Sequence, residues 1–395
     1  MCLAHPMETN VSQISRIELI EFTFPVANVG VADNGFDTHY RPDTVGRLST
    51  LAIRIETASG VVGEYVGGMA LMARQVAYLA PKMIGHSAFH RVHFYEEFKR
   101  ALRKYDKMGV GPLDIALWDW TGKQLGVSVA DLMGASKKKI KAYASTYHGD
   151  LEGGLSSAED FADFAEHCYE LGYRAFKMHG WGDGEVAREI SAVKLLGERV
   201  GSKMALMLDP ASHLRTFADA VAVGRACDDA GFLWFEDPFR DTGISQSAHK
   251  LLRQRVRTPL LIGEHVRGFE AKTDFAVSGA SDFVRVNPDY DMGITGAIKV
   301  AHMAEGLGLD VEVHSAGPAH RHCVAAFRNS NYYEMGLVGP KSGASRPSVY
   351  LCGYADKLES VDASGCVDVP AGVGLGVTYD WDYIRANAVT SAVFD

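Results

Sequence analysis

The chain has 395 residues, too many for one hydrophobic core and enough for a barrel of about 250 residues with a second unit attached. Its 47% hydrophobic and 23% charged residues are the composition of a globular protein, which excludes disordered and fibrous classes. A net charge of -9 argues against nucleic acid and anionic membrane as partners, so a small anionic substrate would need a metal or local basic residues.

The first residues, MCLAHPMETNVSQ, lack a basic segment followed by an apolar run, and no apolar stretch reaches the roughly 18 residues of a membrane span. The six cysteines, Cys2, Cys168, Cys227, Cys323, Cys352 and Cys366, are widely spaced and form no C-x-x-C pair. A reduced, cytoplasmic setting is expected.

In chain order, SRIELIEFTF, RLSTLAIRIET and VVGEYVG read as an antiparallel meander from their β-branched content and the turn at Ala58-Ser59-Gly60. The intervening VANVGVADNGFDTHYRPDT is expected to be a long loop, and loops of that length are usually functional or disordered. Helical periodicity holds from about Ala70 to Leu132 and includes LDIALWDWTGKQLG. From Ile140 onward short apolar runs alternate with helical segments. The eight runs IKAYAS, RAFKMH, MALMLD, FLWFED, LLIGEH, FVRVNPD, DVEVHS and NYYEM predict a parallel α/β barrel. After Glu334 the alternation fades into KSGASRPSVY and VDVPAGVGLGVTYD, which predicts a missing or displaced last helix and a tail packed on the first domain. The expected division is an N-terminal α+β domain over 1–137, the barrel over 138–360 and a C-terminal segment over 361–395.

What ends each strand carries the chemistry, because a parallel barrel gathers the C-terminal ends of its strands around one mouth. The second strand ends in Lys177 and His179, the third in Asp209, the fourth in Glu236, the fifth in Glu264, the sixth in Asp289, the seventh in His314 and the eighth in Glu334. Any one of these acids could simply cap a helix. Asp209, Glu236 and Glu264 on consecutive strands would instead aim three hard oxygen ligands at one point, the donor set of Mg²⁺. Lys177 and His179, two apart on a strand, face the same side. Asp289 and His314, on adjacent strands, are expected to form a dyad in which the carboxylate accepts the imidazole N–H and fixes its tautomer. Such a set suits removal of the proton beside a carboxylate, with a metal stabilising the enediolate, Lys177 adding positive charge and Glu334 donating a hydrogen bond if protonated.

At this point the chain resembles the enolase superfamily, mandelate racemase subgroup. The resemblance is carried by ALWDWTGKQLGVSVADLMGA at 116–135, FKMH at 176–179, LDP at 208–210, FEDP at 235–238, GEH at 263–265, NPDYDMGITGAIKVA at 287–301, VEVHS at 311–315 and the Glu of YYEMG at 332–336. It implies a (β/α)7β barrel whose capping domain is completed by the C-terminal tail, a loop over 25–46 that closes on the substrate, and a homo-oligomer. It also implies that Asp209, Glu236 and Glu264 bind the metal, that Asp289 and His314 are the dyad, and that Glu334 contacts the substrate carboxylate. The subgroup often has Lys-x-Lys on the second strand, where this chain has Lys177-Met178-His179. That departure weakens a racemase, which needs an acid or base on each face of the carbon, and favours dehydration of an acid sugar to a 2-keto-3-deoxy acid. Racemisation or epimerisation of a 2-hydroxy acid is the alternative, and a non-catalytic binding barrel the remote one. A cycloisomerase would be expected to have lysine at Asp289, and an amidohydrolase His-x-His in place of AYAST. The substrate is expected to be a small carboxylate, with Asn34, His39, Tyr40 and Arg41 on the long loop and Tyr147, His148 and Trp181 near strand ends as candidate specificity residues.

Overall fold

A computed structural model describes residues 11–240 and 243–395, so the N-terminal segment before Val11, with Cys2, lies outside the described residues. The chain opens with strands β1 (Ile14–Val31), β2 (Thr38–Thr57) and β3 (Val62–Gly67). The segment expected as a loop between the first two is mostly strand: β1 and β2 pair from Ile14↔Thr57 out to Val31↔Thr38. The turn is tight because the Asn34 side chain accepts the backbone N–H groups of Phe36 and Asp37, while Gly35 takes a left-handed conformation. Helix Val110–Leu125, buried along almost its whole length, packs under this sheet.

The barrel follows as eight strands: β4 (Lys139–Thr146), β5 (Ala175–His179), β6 (Ala205–Asp209), β7 (Trp234–Glu236), β8 (Leu260–Ile262), β9 (Phe283–Val286), β10 (Asp310–Val313) and β11 (Tyr333–Val338). Neighbours pair in parallel in the order β10-β9-β8-β7-β6-β5-β4-β11. At the seam between β10 and β11 the Glu312 carboxylate accepts from the backbone N–H groups of Asn331 and Tyr332. No barrel helix packs directly after β11; the one α-helix beyond it among the described residues, Trp381–Ala386, is a short element of the tail. The tail instead adds β12 (Cys366–Asp368) antiparallel to β4 and β13 (Ala388–Phe394) antiparallel to β1, which completes the four-stranded capping sheet in the order β13-β1-β2-β3.

Strand alternation sets the barrel's interior layers. Tyr143, Ala175, Met207, Trp234 and Leu261 make an apolar floor. Two residues further along their strands come Ser145, Lys177, Asp209 and Glu236, joined by Arg285 and Glu334. Capping domain and barrel are joined at Asp114, which accepts from both the hydroxyl and the N–H of Thr295, and at Trp118, whose indole N–H donates to the same hydroxyl. Cys168, Cys227, Cys323, Cys352 and Cys366 are free thiols. Among the described residues no helix is long and apolar enough to cross a membrane.

Candidate active site

Asp209, Glu236 and Glu264 bring one carboxylate oxygen each within 4.8 Å of one another at the barrel mouth. Lys177 and His179, on one face of β5, both reach this group. The Lys177 ammonium lies 3.2 Å from Asp209, 3.0 Å from Glu236 and 3.0 Å from Glu334, and His179 Nε2 lies 3.2 Å from Asp209. Arg285, absent from the strand-end reading because it sits one position inside β9, is fully buried and pairs with Glu236 at 2.7 Å and Glu334 at 3.3 Å. Its signal was a cation between two valines of a buried strand, a position a charge occupies only when paired.

The charges decide what the cluster can hold. Four largely buried carboxylates, Asp209, Glu236, Glu264 and Glu334, face two permanent cations, Lys177 and Arg285, which leaves two negative charges unmatched. Burial raises the Glu236 and Glu264 carboxyls above the ordinary range. For Asp209 burial is outweighed by Lys177 and His179, and its pKa falls well below that range. A hard divalent cation in an all-oxygen site fits both the donors and the missing charge.

Glu334 would donate a hydrogen bond only if protonated. It accepts from the Ser145 hydroxyl and the Ser315 N–H, and Lys177 and Arg285 outweigh its burial to hold it ionised. Lys177 stays an ammonium ion in turn: burial would lower its pKa, but Glu236 and Glu334 hold it well above the usual value.

The expected Asp289–His314 pair is not formed. Beyond β9 the chain turns, with the N–H groups of Tyr290 and Asp291 both donating to the Asn287 carbonyl, and the turn carries Asp289 away to accept from the Tyr65 hydroxyl at 2.7 Å. Asn287 is the residue in register with the strand, and its side-chain nitrogen lies 2.8 Å from His314 Nδ1. The Asn287 oxygen accepts the Asp289 backbone N–H, an obligate donor, so the amide orientation is fixed by the network. His314 Nδ1 therefore accepts, and the neutral ring carries its proton on Nε2, 3.2 Å from Glu264. Burial holds the His314 pKa well below the usual histidine value. His179 is arranged the opposite way: its Nδ1 lies 2.7 Å from the Thr146 carbonyl, which can only accept, so Nε2 carries the lone pair in the neutral ring.

A cavity of about 410 Å³ opens above this layer, lined by His148, His179, Asp209, Glu264, His314 and Glu334 with residues of the β1–β2 hairpin and of the segment after β11. His39 and Tyr147 do not reach it. Neighbours alternate across a strand, so Thr38 and His148 face the cavity, while His39 points away and Tyr147 is buried with its hydroxyl on the Gly343 carbonyl. Trp181 is likewise a packing residue, its indole N–H on the Asp150 carbonyl. The hairpin tip meets the barrel through Asp37, 2.6 Å from His213 Nε2 and 3.4 Å from His148 Nε2, a third group of metal-type donors beside the cavity. Asp237, Glu264 and His265 form the other such group and share Glu264 with the triad.

Comparison with known proteins agrees with this architecture. Residues 29–134 match the family model of the mandelate racemase/muconate lactonizing enzyme N-terminal domain, and residues 160–383 match the enolase C-terminal domain-like model. The chain is 25% identical over 347 residues to arabinonate dehydratase of Saccharolobus solfataricus, covering 84% of this chain and 88% of that one. It is 28% identical over 218 residues to L-talarate/galactarate dehydratase of Salmonella typhimurium, where the match spans about half of each protein, 55% and 53%. The solved structure of D-glucarate dehydratase from Agrobacterium tumefaciens, complexed with magnesium, superposes with a TM-score of 0.85 at 27% identity, covering 96% of this chain and all of that one. A cycloisomerase and a racemase lie in the same range of identity.

Proposed function

The chain belongs to the mandelate racemase/muconate lactonizing enzyme family of the enolase superfamily, and on that premise we propose that it dehydrates an acid sugar to a 2-keto-3-deoxy acid with the help of Mg²⁺, as a cytoplasmic homo-oligomer. The observation that carries this reading is the pair of histidines, His179 and His314, held beside one carboxylate triad with opposite proton inventories.

Asp209, Glu236 and Glu264 would hold the metal, which when bound supplies electrostatic stabilisation of the enediolate oxygens. The work of this chain's own residues is proton transfer. His179 Nε2, with its lone pair set by the Thr146 carbonyl, takes the α-proton. Lys177, kept cationic by Glu236 and Glu334, adds positive charge where the enediolate develops. His314, whose Nε2 carries the proton because Asn287 donates to Nδ1, hydrogen-bonds the β-hydroxyl from that N–H, and the proton that His179 has taken is passed to the hydroxyl as it leaves as water, so both imidazoles end neutral. The enol so formed becomes the 2-keto acid. Dehydration needs one base and one donor to the leaving hydroxyl, which matches the two tautomers.

A racemase or epimerase would need each side group to take both roles in turn, and the depressed pKa of His314 works against the imidazolium that such a role requires. Screening acid sugars for 2-keto acid formation, with and without Mg²⁺, tests the reading. Epimerised product without any 2-keto acid would replace it with the racemase alternative, and no α-proton exchange with any acid would point to a binding barrel.

A further inference from the structure

Buried arginines of this barrel have anionic partners: Arg285 pairs with Glu236 and Glu334, and Arg321 with Asp356. Arg346 does not. It lines the cavity above the triad, its Nε is shielded from solvent, and among the described residues it makes no hydrogen bond and no ion pair. The carboxylate that acts on it most strongly, Asp289, is already taken by the Tyr65 hydroxyl.

The backbone beside Arg346 is fixed in place. The Ser345 hydroxyl accepts the Leu337 N–H while the Ser345 N–H donates to the Leu337 carbonyl, which clips the segment to β11. Gly343 donates to Ala27, which clips it to the hairpin. A guanidinium whose Nε is shielded from water without a partner is costly unless an anion completes it, and a guanidinium matches a carboxylate through two parallel hydrogen bonds. The acids of the triad are not its partners, since theirs are Lys177, His179, Arg285 and His314.

Resting on the dehydratase reading, in which one carboxylate of the substrate lies at the triad, we infer that Arg346 receives a second one. The substrate is then an open-chain polyhydroxy acid with a carboxylate at each end, an aldaric rather than an aldonic acid, for which hexarates and hexonates serve as probes. Arg47, on β2, lines the same cavity and adds positive charge, but its guanidinium already donates to the Thr23 hydroxyl. Arg346 remains the free donor.

The test compares hexarates, the corresponding hexonates and 6-phosphohexonates, each by calorimetric binding in Mg²⁺ and by 2-keto acid formation, in wild-type, Arg346→Gln and Arg346→Lys proteins. The expected result is a hexarate preference of roughly 100-fold or more, lost in Arg346→Gln and partly kept in Arg346→Lys, with hexonates little changed. Preference for hexonates or phosphohexonates, or an equal loss for all acids in Arg346→Gln, would overturn the assignment and leave the dehydratase reading standing. Hexarates bound through Arg346 without 2-keto product would keep the carboxylate site and remove the dehydratase. Binding of none of the acids would remove both.

Discussion

Asn287 donates its side-chain N–H to Nδ1 of His314 across 2.8 Å, and the backbone N–H of Asp289 prevents that amide from turning round. The reactive proton of His314 is therefore set by an amide rather than by a carboxylate. Asn287→Asp would accept a proton at Nδ1 and move the lone pair to Nε2. We expect a loss of roughly 10²- to 10⁴-fold in kcat for dehydration, the size seen when a catalytic histidine is held in the wrong tautomer. A change below about threefold would remove Asn287 from the mechanism.

The two histidines make separable predictions. His314→Asn should abolish 2-keto acid formation while solvent deuterium still exchanges at the α-carbon, because the base on β5 is intact. His179→Asn should abolish both. If His314→Asn stops exchange and His179→Asn does not, the roles are reversed.

For the metal, Glu236→Gln should weaken Mg²⁺ binding by at least about 10- to 100-fold, the loss that even an outer-shell partner causes, and should cancel the rise in Tm that Mg²⁺ gives the wild type. Unchanged Mg²⁺ affinity in this variant would dissolve the site.

Tyr65 on β3 and Asp289 beyond β9 tie the capping domain to the barrel mouth. Tyr65→Phe removes the hydroxyl donor of a buried carboxyl and should cost about 1–3 kcal/mol in denaturant unfolding, with kcat changed only a few-fold. A collapse of kcat at unchanged stability would return Asp289 to the catalytic role expected for it from the sequence.

Asp37 latches the hairpin over the cavity through His213 and His148. Burial opposes the charge on Asp37, but His213 and His148 outweigh it and bring the carboxyl down to about 2. His213 is raised by Asp37 against the effect of burial. The Asp37 contribution is present above the ordinary carboxylate range and is lost as pH falls toward 2. That of His213 is present below its ordinary value and is lost as pH rises through its raised one. His148, pushed down to about 4 by burial and by His179, stays neutral in the closed state, and its contribution is present above the ordinary value and lost as pH falls toward 4. Protection of the amides at 32–37 against hydrogen exchange should thus be greatest near neutrality and decline in both directions. Asp37→Asn should remove this dependence, and a flat profile in the wild type would show that the latch is not electrostatic.

Much was legible in the sequence. Short, nearly continuous apolar runs separated by helical stretches mark eight parallel strands, and a barrel with that spacing brings Lys177, His179, Asp209, Glu236 and Glu264 to one mouth, because strand register sets where they point. What lies beyond the ends of the strands was decided by tertiary structure. The turn after Val286 moved Asp289 to Tyr65 and left Asn287 against His314, since two hydrogen bonds to one carbonyl rotate the chain by an amount no residue pattern states. The hairpin that replaced the expected loop depends on pairing across residues 14–57, and its latch joins Asp37 to histidines more than a hundred positions away. Arg346 had no signal in KSGASRPSVY, because its placement comes from backbone contacts with Leu337 and Ala27 made only when the tail folds back. Local chemistry determined the strands and the residues that end them, and long-range contacts decided which neighbour each of those residues meets.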